Sequence, residues 1–152
     1  DLQVNEITSL EVGIESIDLI IFFVYQKWLE SIPKLITQAE SLALQIRYKG
    51  VEGVFKKLVQ LVEDYQLLVD TLISLKSLKV SEEITGTARW DANEELTVKC
   101  IHECIHSLQK KDYNTLSDVL EYDIAHTLQE WHEFLQRLAA KQIENHSTRD
   151  SA

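Results

Sequence analysis

Residues His102, Glu103 and His106 form an H-E-x-x-H motif, the pattern that carries zinc chemistry in many peptidases. Histidines four residues apart on a helix lie on the same face, so both imidazoles can bind one zinc ion. The glutamate between them reaches the metal-bound water and acts as a general base. The motif therefore raises the hypothesis of a zinc-dependent hydrolase, with the two histidines as metal ligands and Glu103 as the catalytic residue.

A catalytic zinc site needs a third protein ligand, and no recognised motif supplies one here. In the longer pattern H-E-x-x-H-x-x-G-x-x-H, the glycine and the last histidine fall at positions that hold Gln109 and Asp112. An acidic ligand would have to come from outside any matching motif, from Glu121, Glu130 or Glu133. His126 or His132 of the last helix could complete a site between helices, but about 240° separates them, so only one can face inward.

The helix that carries the motif has an apolar face of its own, formed by Val98, Ile101, Ile105 and Leu108. At 100° per residue this face centres near Ile101, and His102 and His106 lie about 100–140° away from it. Solvated histidines normally occupy such a flank. We therefore predict exposed histidines with no metal or other cofactor, and keep zinc bound by His102, His106 and His126 as the alternative.

The two cysteines, Cys100 and Cys104, stand four residues apart on the same predicted helix. This spacing is poorly suited to a structural disulfide, and there is no further cysteine to build a framework. Both point roughly 160° away from the histidine pair, so they do not join it in one metal site. We expect small buried side chains with free thiols, which fits a reducing cytoplasm.

The composition points to helices and argues against several classes of partner. The chain has 152 residues, enough for one domain with a normal core, and contains one proline and four glycines. Its formal net charge of −10 argues against nucleic acid and anionic membranes, which attract clustered Lys and Arg. The longest unbroken apolar run, residues 19–25, is far too short to span a bilayer.

The beginning of the chain is compatible with two kinds of secondary structure. Residues 1–13 alternate weakly, as in a strand, whereas residues 14–28 carry apolar side chains at helical spacing. Helix and strand therefore both stay open for residues 1–25. Ser31 followed by Pro33 predicts a helix restart, because proline is tolerated in a first helical turn.

Two amphipathic helices are predicted in the next part of the chain. Residues 32–46 and 54–75 each carry one apolar stripe, and Gly50 and Gly53 mark the turn between them. Residues 79–90 show no helical period and predict an irregular connector.

The second half of the chain predicts two more helices. Asp91 and Glu94 form a capping box that opens a helix over residues 92–110. Asn114 or Thr115 caps the last helix, whose apolar stripe is Leu116, Val119, Leu120, Ile124, Leu128, Trp131, Leu135, Leu138 and Ile143. The predicted fold is an all-α, up-and-down bundle of four to five helices over residues 1–143, followed by a polar, disordered tail at 144–152.

The three tryptophans divide into two groups. Trp28 and Trp131 fall on apolar stripes and are expected in the core. Trp90 lies in the connector, next to the predicted Asp91 cap. It is the candidate for a contact with a partner, or else for a hydrophobic staple at the helix start.

Two helical regions resemble a known family. The segments LSDVLEYDI (residues 116–124) and LQEW (residues 128–131) resemble the closing helix of small all-helical proteins from Firmicute bacteria, grouped as a domain of unknown function. The helix pair Trp28–Leu75 resembles their central hairpin. The resemblance implies a small bacterial helical protein without an assigned activity, and no functional residue is carried over from it.

We therefore predict a cytoplasmic, non-enzymatic bundle that acts through contacts with an unidentified protein partner, as an adaptor, chaperone-like or regulatory protein. Its apolar helix faces are wide enough to bury a partner helix, and they also permit a homodimer. Two alternatives remain: a zinc-dependent hydrolase that uses the HECIH stretch, and a structural subunit of a larger assembly.

Overall fold

The computed structural model describes the backbone of residues 2–150 and the side chains of residues 16–145. Over this range the fold is an all-α bundle, as the sequence predicts. Its elements are α1 (Leu2–Lys49), α2 (Phe55–Ser77), α3 (Glu82–Thr85), α4 (Ala88–Gln109), α5 (Tyr113–Asp118), a π segment (Val119–Ile124) and α6 (Ala125–Asp150). None of the described helices combines the length and the hydropathy that a bilayer crossing requires.

The long helices run up and down, and α1 packs chiefly against α6. Contacts at both ends show that these two helices are antiparallel. Near the start of α1, the side chain of Gln142 donates a hydrogen bond to the carbonyl of Asp18 at 2.8 Å. Near the end of α1, Arg47 forms ion pairs with Asp118 of α5 at 2.7 Å and Glu121 of the π segment at 2.8 Å, and these two elements lead directly into α6.

The predicted apolar stripes of α1, α2 and the last helix form most of the core. Trp28 and Trp131 are buried, as predicted. Along α2, the buried side chains are those of Leu58, Leu61, Tyr65, Leu68, Val69, Leu72 and Leu75. Burial of a large apolar side chain contributes about 1.5–3 kcal/mol, so these stripes dominate the stability of the bundle. Ile143, predicted on the last stripe, is exposed instead.

Helix α1 passes through Pro33, so the predicted restart at Ser31 is wrong, and the strand alternative for the first residues does not apply from Leu2 onward. Proline has no N–H, and the carbonyl of Leu29 therefore loses its helical partner. The Nε2 of His132 on α6 lies 3.2 Å from that oxygen. Since a carbonyl only accepts, Nε2 carries the hydrogen and donates it. A neighbouring helix thus replaces the bond that Pro33 cannot make.

The start of α4 differs from the prediction. It begins at Ala88, and its N-cap is Thr87, whose Oγ1 accepts a hydrogen bond from the backbone N–H of Trp90 at 3.2 Å. The predicted capping pair serves another purpose, because Lys76 of α2 forms ion pairs with both Asp91 and Glu94. The connector before α4 is not wholly irregular, since it contains the short helix α3.

The last helical stretch also starts earlier than predicted. Its cap is Asp112, which accepts a hydrogen bond from the N–H of Thr115 at 3.2 Å, so neither Asn114 nor Thr115 is the cap. At the other end, α6 runs to Asp150, beyond residue 144 where the polar tail is predicted to start. The domain bounds given above, residues 1–143, stay a prediction.

The π segment explains how the last stripe stays on one side. Leu116, Leu120, Ile124 and Leu128 follow one another at four-residue steps, and all four are buried. On a regular α-helix each such step drifts by about 40°. A π-helix bonds residue i to i+5 and has a wider turn, which reduces this drift. The local π geometry therefore keeps four large side chains in the core.

Helix α4 buries a largely polar and small face, so the predicted apolar face is wrong for Val98 and Ile105, although its centre, Ile101, is buried as predicted and Leu108 is half-buried. Val98 and Ile105 are 43% and 46% exposed. The buried side chains of α4 are those of Trp90, Asn93, Thr97, Cys100, Ile101, Cys104 and Ser107. Thr97 Oγ1 accepts a hydrogen bond from Trp131 Nε1 at 3.0 Å, and Asn93 Nδ2 donates to the carbonyl of Thr127 at 3.3 Å. Hydrogen bonds to α6 thus set the rotation of α4.

Replacing His132 by alanine should lower the free energy of unfolding by about 1–2 kcal/mol, because the carbonyl of Leu29 loses its partner. In a Pro33→Ala background the loss should be smaller, since the new backbone N–H at position 33 pairs with that carbonyl. Urea unfolding of the four proteins of this double-mutant cycle measures the difference. His126→Ala, at an exposed position of the same helix, is the control. Equal losses in the two backgrounds would contradict the capping role.

Thr97→Val should destabilise the bundle by about 1–3 kcal/mol, because the buried N–H of Trp131 keeps its place and loses its acceptor. Valine has nearly the same shape as threonine, so little packing is lost. Like Thr97, Thr37 donates a hydrogen bond to the backbone carbonyl four residues earlier in its own helix, but Thr37 is exposed. Thr37→Val should therefore stay within about 0.5 kcal/mol of the parent, as surface substitutions do. Similar losses for the two variants, by thermal or urea unfolding, would show that the buried bond is not important.

Candidate functional site

The HECIH stretch lies in the C-terminal half of α4, on the outer side of the helix. His102 and His106 are exposed, as predicted. Ile105, predicted to lie in the core, is exposed as well. Only Cys104 of this stretch is buried, because it follows Thr97 and Cys100 on the face that packs inward.

The three chemically active residues of the motif do not share one site. Glu103 and His106 line a polar surface cavity of about 430 Å³, together with Lys110 and the acidic residues Asp112, Asp118 and Asp123. His102 is not part of its lining. The Glu103 carboxylate also lies 4.0 Å from the Nζ of Lys99, one turn away on the same helix. Glu103 is therefore within ion-pair distance of a cation on its own helix.

The described part of the chain does not assemble a zinc site around the motif. Among its side chains, no group of three or more His, Cys, Asp or Glu is arranged to hold a metal ion. His126 is exposed on α6. His132 is engaged with the carbonyl of Leu29. Neither histidine of the last helix is thus placed as the third ligand that catalytic zinc needs.

The downstream glutamates considered as a third ligand form ion pairs with arginine. Glu121 lies 2.8 Å from the guanidinium of Arg47. Glu130 accepts two hydrogen bonds from Arg89, at 2.9 and 3.0 Å, and Glu133 accepts a third at 3.0 Å. These hydrogen bonds raise the pKa of Arg89, so the guanidinium stays charged. Glu121 thus holds the end of α1 against the π segment, and Glu130 and Glu133 hold the start of α4 against α6.

The two cysteines are free and buried, as predicted. Burial, followed by the nearby carboxylate of Asp123, raises the pKa of the Cys100 thiol to about 12. Burial, followed by the charge of Cys100, raises the pKa of Cys104 to about 12 as well. The thiolate is the form that attacks electrophiles and binds metals. Both residues therefore pack as small apolar side chains.

Trp90, considered as a contact for a partner, is fully buried. Its ring packs edge-on against Trp131, with centroids 4.9 Å apart, and against Phe134 at 5.1 Å. These three rings join the start of α4 to α6. Trp90 therefore stabilises the core in this fold and presents no indole to a partner.

The rotation of α4 creates an apolar groove that sequence reasoning missed. The groove lies between α2 and α4. It is lined by Leu58, Val59, Val62, Glu63, Cys104, Ile105 and Leu108. Its volume is about 160 Å³. One sequence pattern could have predicted this rotation. Asn93, Thr97, Cys104 and Ser107 follow a heptad spacing, so they could face the core in place of Val98 and Ile105.

Both thiols should resist modification until the protein unfolds. At pH 8, a thiol with a pKa near 12 carries roughly a thousandfold less thiolate than an ordinary exposed thiol. A disulfide reagent such as DTNB should therefore react with native protein at least about a thousandfold more slowly than with protein in concentrated guanidinium chloride.

The same pKa values give the sign of a pH effect on stability. The folded state holds both thiol protons more tightly than the unfolded state, so stability should fall as the pH rises above the ordinary thiol pKa and towards 12. The double variant Cys100→Ala, Cys104→Ala should lose less stability over that range.

Rapid labelling of the native protein by DTNB at pH 8 would contradict both predictions, because it would show that the thiols are accessible.

Comparison with known proteins places the chain at the level of a family. No curated protein and no solved structure matches it. A family model described as a domain of unknown function, DUF8042, matches residues 24–134, which extend from α1 into α6. The match confirms the resemblance to a family without an assigned activity. The chain belongs to the DUF8042 family.

Proposed function

We propose that this domain is a non-enzymatic interaction module that binds an amphipathic helix of a partner protein in the groove between α2 and α4. Such a protein acts as an adaptor, a chaperone-like protein or a regulator. The groove itself is the main support for this proposal. Aliphatic side chains of two neighbouring helices line it and remain partly exposed, because the helices do not cover each other completely there.

The shape of the groove suits one face of a helix. Val59 of α2 is 37% exposed and stands across the groove from Ile105 of α4, with Cys104 and Leu58 buried below them. An apolar cavity of roughly 150 Å³ accommodates a benzene ring, so the space suits one large apolar side chain. Partner helices dock in this way when apolar side chains at i, i+3, i+4 and i+7 enter a groove.

Charge favours a basic partner. The chain carries a formal net charge of −10, which attracts cationic partners and repels acidic ones over several ångströms of solvent. Glu63 lines the groove and can pair with a cation at the edge of a bound helix. We therefore identify the occupant as an amphipathic helix with Lys or Arg beside its apolar stripe.

The surroundings of the HECIH stretch support the non-enzymatic part of the proposal. Glu103 is paired with Lys99, and Glu121, Glu130 and Glu133 are paired with arginines. The proposal accordingly includes no zinc or other cofactor. A bacterial cytoplasm is its setting, on the strength of the family resemblance and of two free, buried thiols.

A helical peptide of leucine and lysine, with leucines at i, i+3, i+4 and i+7, is a direct probe of the groove. Its binding, measured by fluorescence anisotropy, should weaken at least about tenfold in the variant Ile105→Glu, because a carboxylate then stands in the apolar contact. In ¹⁵N-resolved spectra of the native protein, the peptide should shift the amide signals of Val59, Val62 and Ile105 most.

Leu67→Glu is the matched control. Leu67 is an exposed apolar residue of α2, but it lies towards α1, where it lines a cavity with Lys27 and Trp28. Both variants add one negative charge, so non-specific attraction of the basic peptide rises equally in both. Equal affinities for the two variants, or shifts spread over the whole acidic surface, would overturn the groove as the binding site.

A further inference from the structure

Helix α1 is much longer than the helices beside it. It spans 48 residues, whereas α2 and α4 have 23 and 22. At 1.5 Å per residue, α1 is roughly 70 Å long and α2 roughly 35 Å. Near Asp18, α1 is held by Gln142 of α6. The family match begins at residue 24, so the first half of α1 lies ahead of the region that defines the family.

This half of α1 carries an exposed apolar face, which we name the α1 face: Ile17, Leu19, Ile20 and Phe23. These four side chains are 55–61% exposed. Ile17 and Phe23 each lie about 60° from Ile20 around the helix, so Ile20 stands at the centre. The inner side of the same turns is different, because Tyr25 is buried and Asp18, Ile21 and Phe22 are half-buried. One side of α1 is thus packed, and the other presents large apolar side chains to solvent.

The area of the α1 face suits a weak, reversible dimer. The aromatic side chain of Phe23 offers roughly 150–250 Å² and the three aliphatic side chains offer areas near the lower end of that range. Somewhat over half of each is exposed, which gives about 400–500 Å² per chain. This exceeds the area of scattered surface residues and falls in the range of functional patches. Two such faces together bury at most about 800–1,000 Å², which is below the area of a standard specific interface and in the range of weak, transient pairs.

The charge distribution favours a second copy as the occupant. The chain as a whole carries −10, so two copies repel each other wherever their acidic surfaces meet. Residues 19–26 contain no charged side chain, and the exposed Lys27 follows one turn after Phe23, so two copies can meet around Ile20 without like-charge contact. A two-fold interface places the same patch on both partners, which suits an uncharged, self-complementary face. A basic partner would find no carboxylate among residues 19–26, and the single lysine nearby, Lys27, is not the cluster of basic side chains that an anionic lipid surface attracts.

We propose that the α1 face is a homodimer interface. Two copies pair about a two-fold axis at Ile20, and the α1–α6 pair of one copy packs on that of the other as a four-helix arrangement.

Light scattering of the purified chain, checked by sedimentation over a range of concentrations, tests the interface. The native protein should show twice the chain mass of 17.6 kDa. Ile20→Glu should weaken self-association at least about a hundredfold, because it buries two unpaired carboxylates in the interface. Far-UV circular dichroism and the unfolding midpoint should remain near those of the parent, since Ile20 is exposed in the single chain.

A matched pair on one helix gives the control. Leu19 and Leu44 are both 55% exposed on α1, but only Leu19 belongs to the α1 face. Leu19→Glu should shift the protein towards monomer, and Leu44→Glu should leave the dimer intact. A monomeric native chain, or equal effects of these two variants, would overturn the proposal. A third result would also overturn it: the native chain is monomeric and floats with neutral phosphatidylcholine vesicles, whereas Ile20→Glu does not float. The α1 face would then bind lipid.

Discussion

The rotation of α4 about its own axis decides what the bundle presents to its surroundings. Thr97 accepts a hydrogen bond from the indole of Trp131, and Asn93 donates to the carbonyl of Thr127. These groups are buried, and an unpaired buried polar group costs about 1–3 kcal/mol. A rotation that placed Ile105 inside would bury more apolar surface but break this set of bonds. The same constraint turns the histidines of the motif outward and opens the groove beside α2.

Apolar spacing located the core correctly wherever the inward residues are apolar. The stripes of α2 and the last helix were predicted from the sequence and are buried, apart from half-buried Val62 and exposed Ile143. On α4, the same reasoning selected Val98 and Ile105, because Asn and Thr are normally exposed unless they are hydrogen-bonded. The hydrogen-bond partners of Asn93 and Thr97 lie 34 residues away in the chain, so no local sequence pattern predicts these bonds.

Two of the predicted helix starts were wrong for a related reason. Pro33 is a sound local signal for a helix start, but the carbonyl that it leaves unpaired is satisfied by His132, 103 residues further along the chain. Asp91 and Glu94 have the spacing of a capping box, yet both pair with Lys76, and Thr87 caps the helix instead. For the candidate site, the sequence placed His102 and His106 on the surface. The groove could not be foreseen, since it depends on how two helices splay.

The α1 face lies in the first half of α1, whereas the groove lies beyond its C-terminal end, and this separation would matter for binding in the proposed dimer. The groove involves the first turns of α2, directly after the connection from the C-terminal end of α1. From Ile20 to Ile46, α1 advances roughly 40 Å. Two chains paired at the α1 face would therefore keep both grooves open and far from the two-fold axis. A partner with two suitable helices would then bind the second as an intramolecular event, which strengthens binding by about 10²–10⁴ when the spacing fits. Weak individual grooves would be sufficient in such a dimer, which is consistent with a groove that has room for one large side chain.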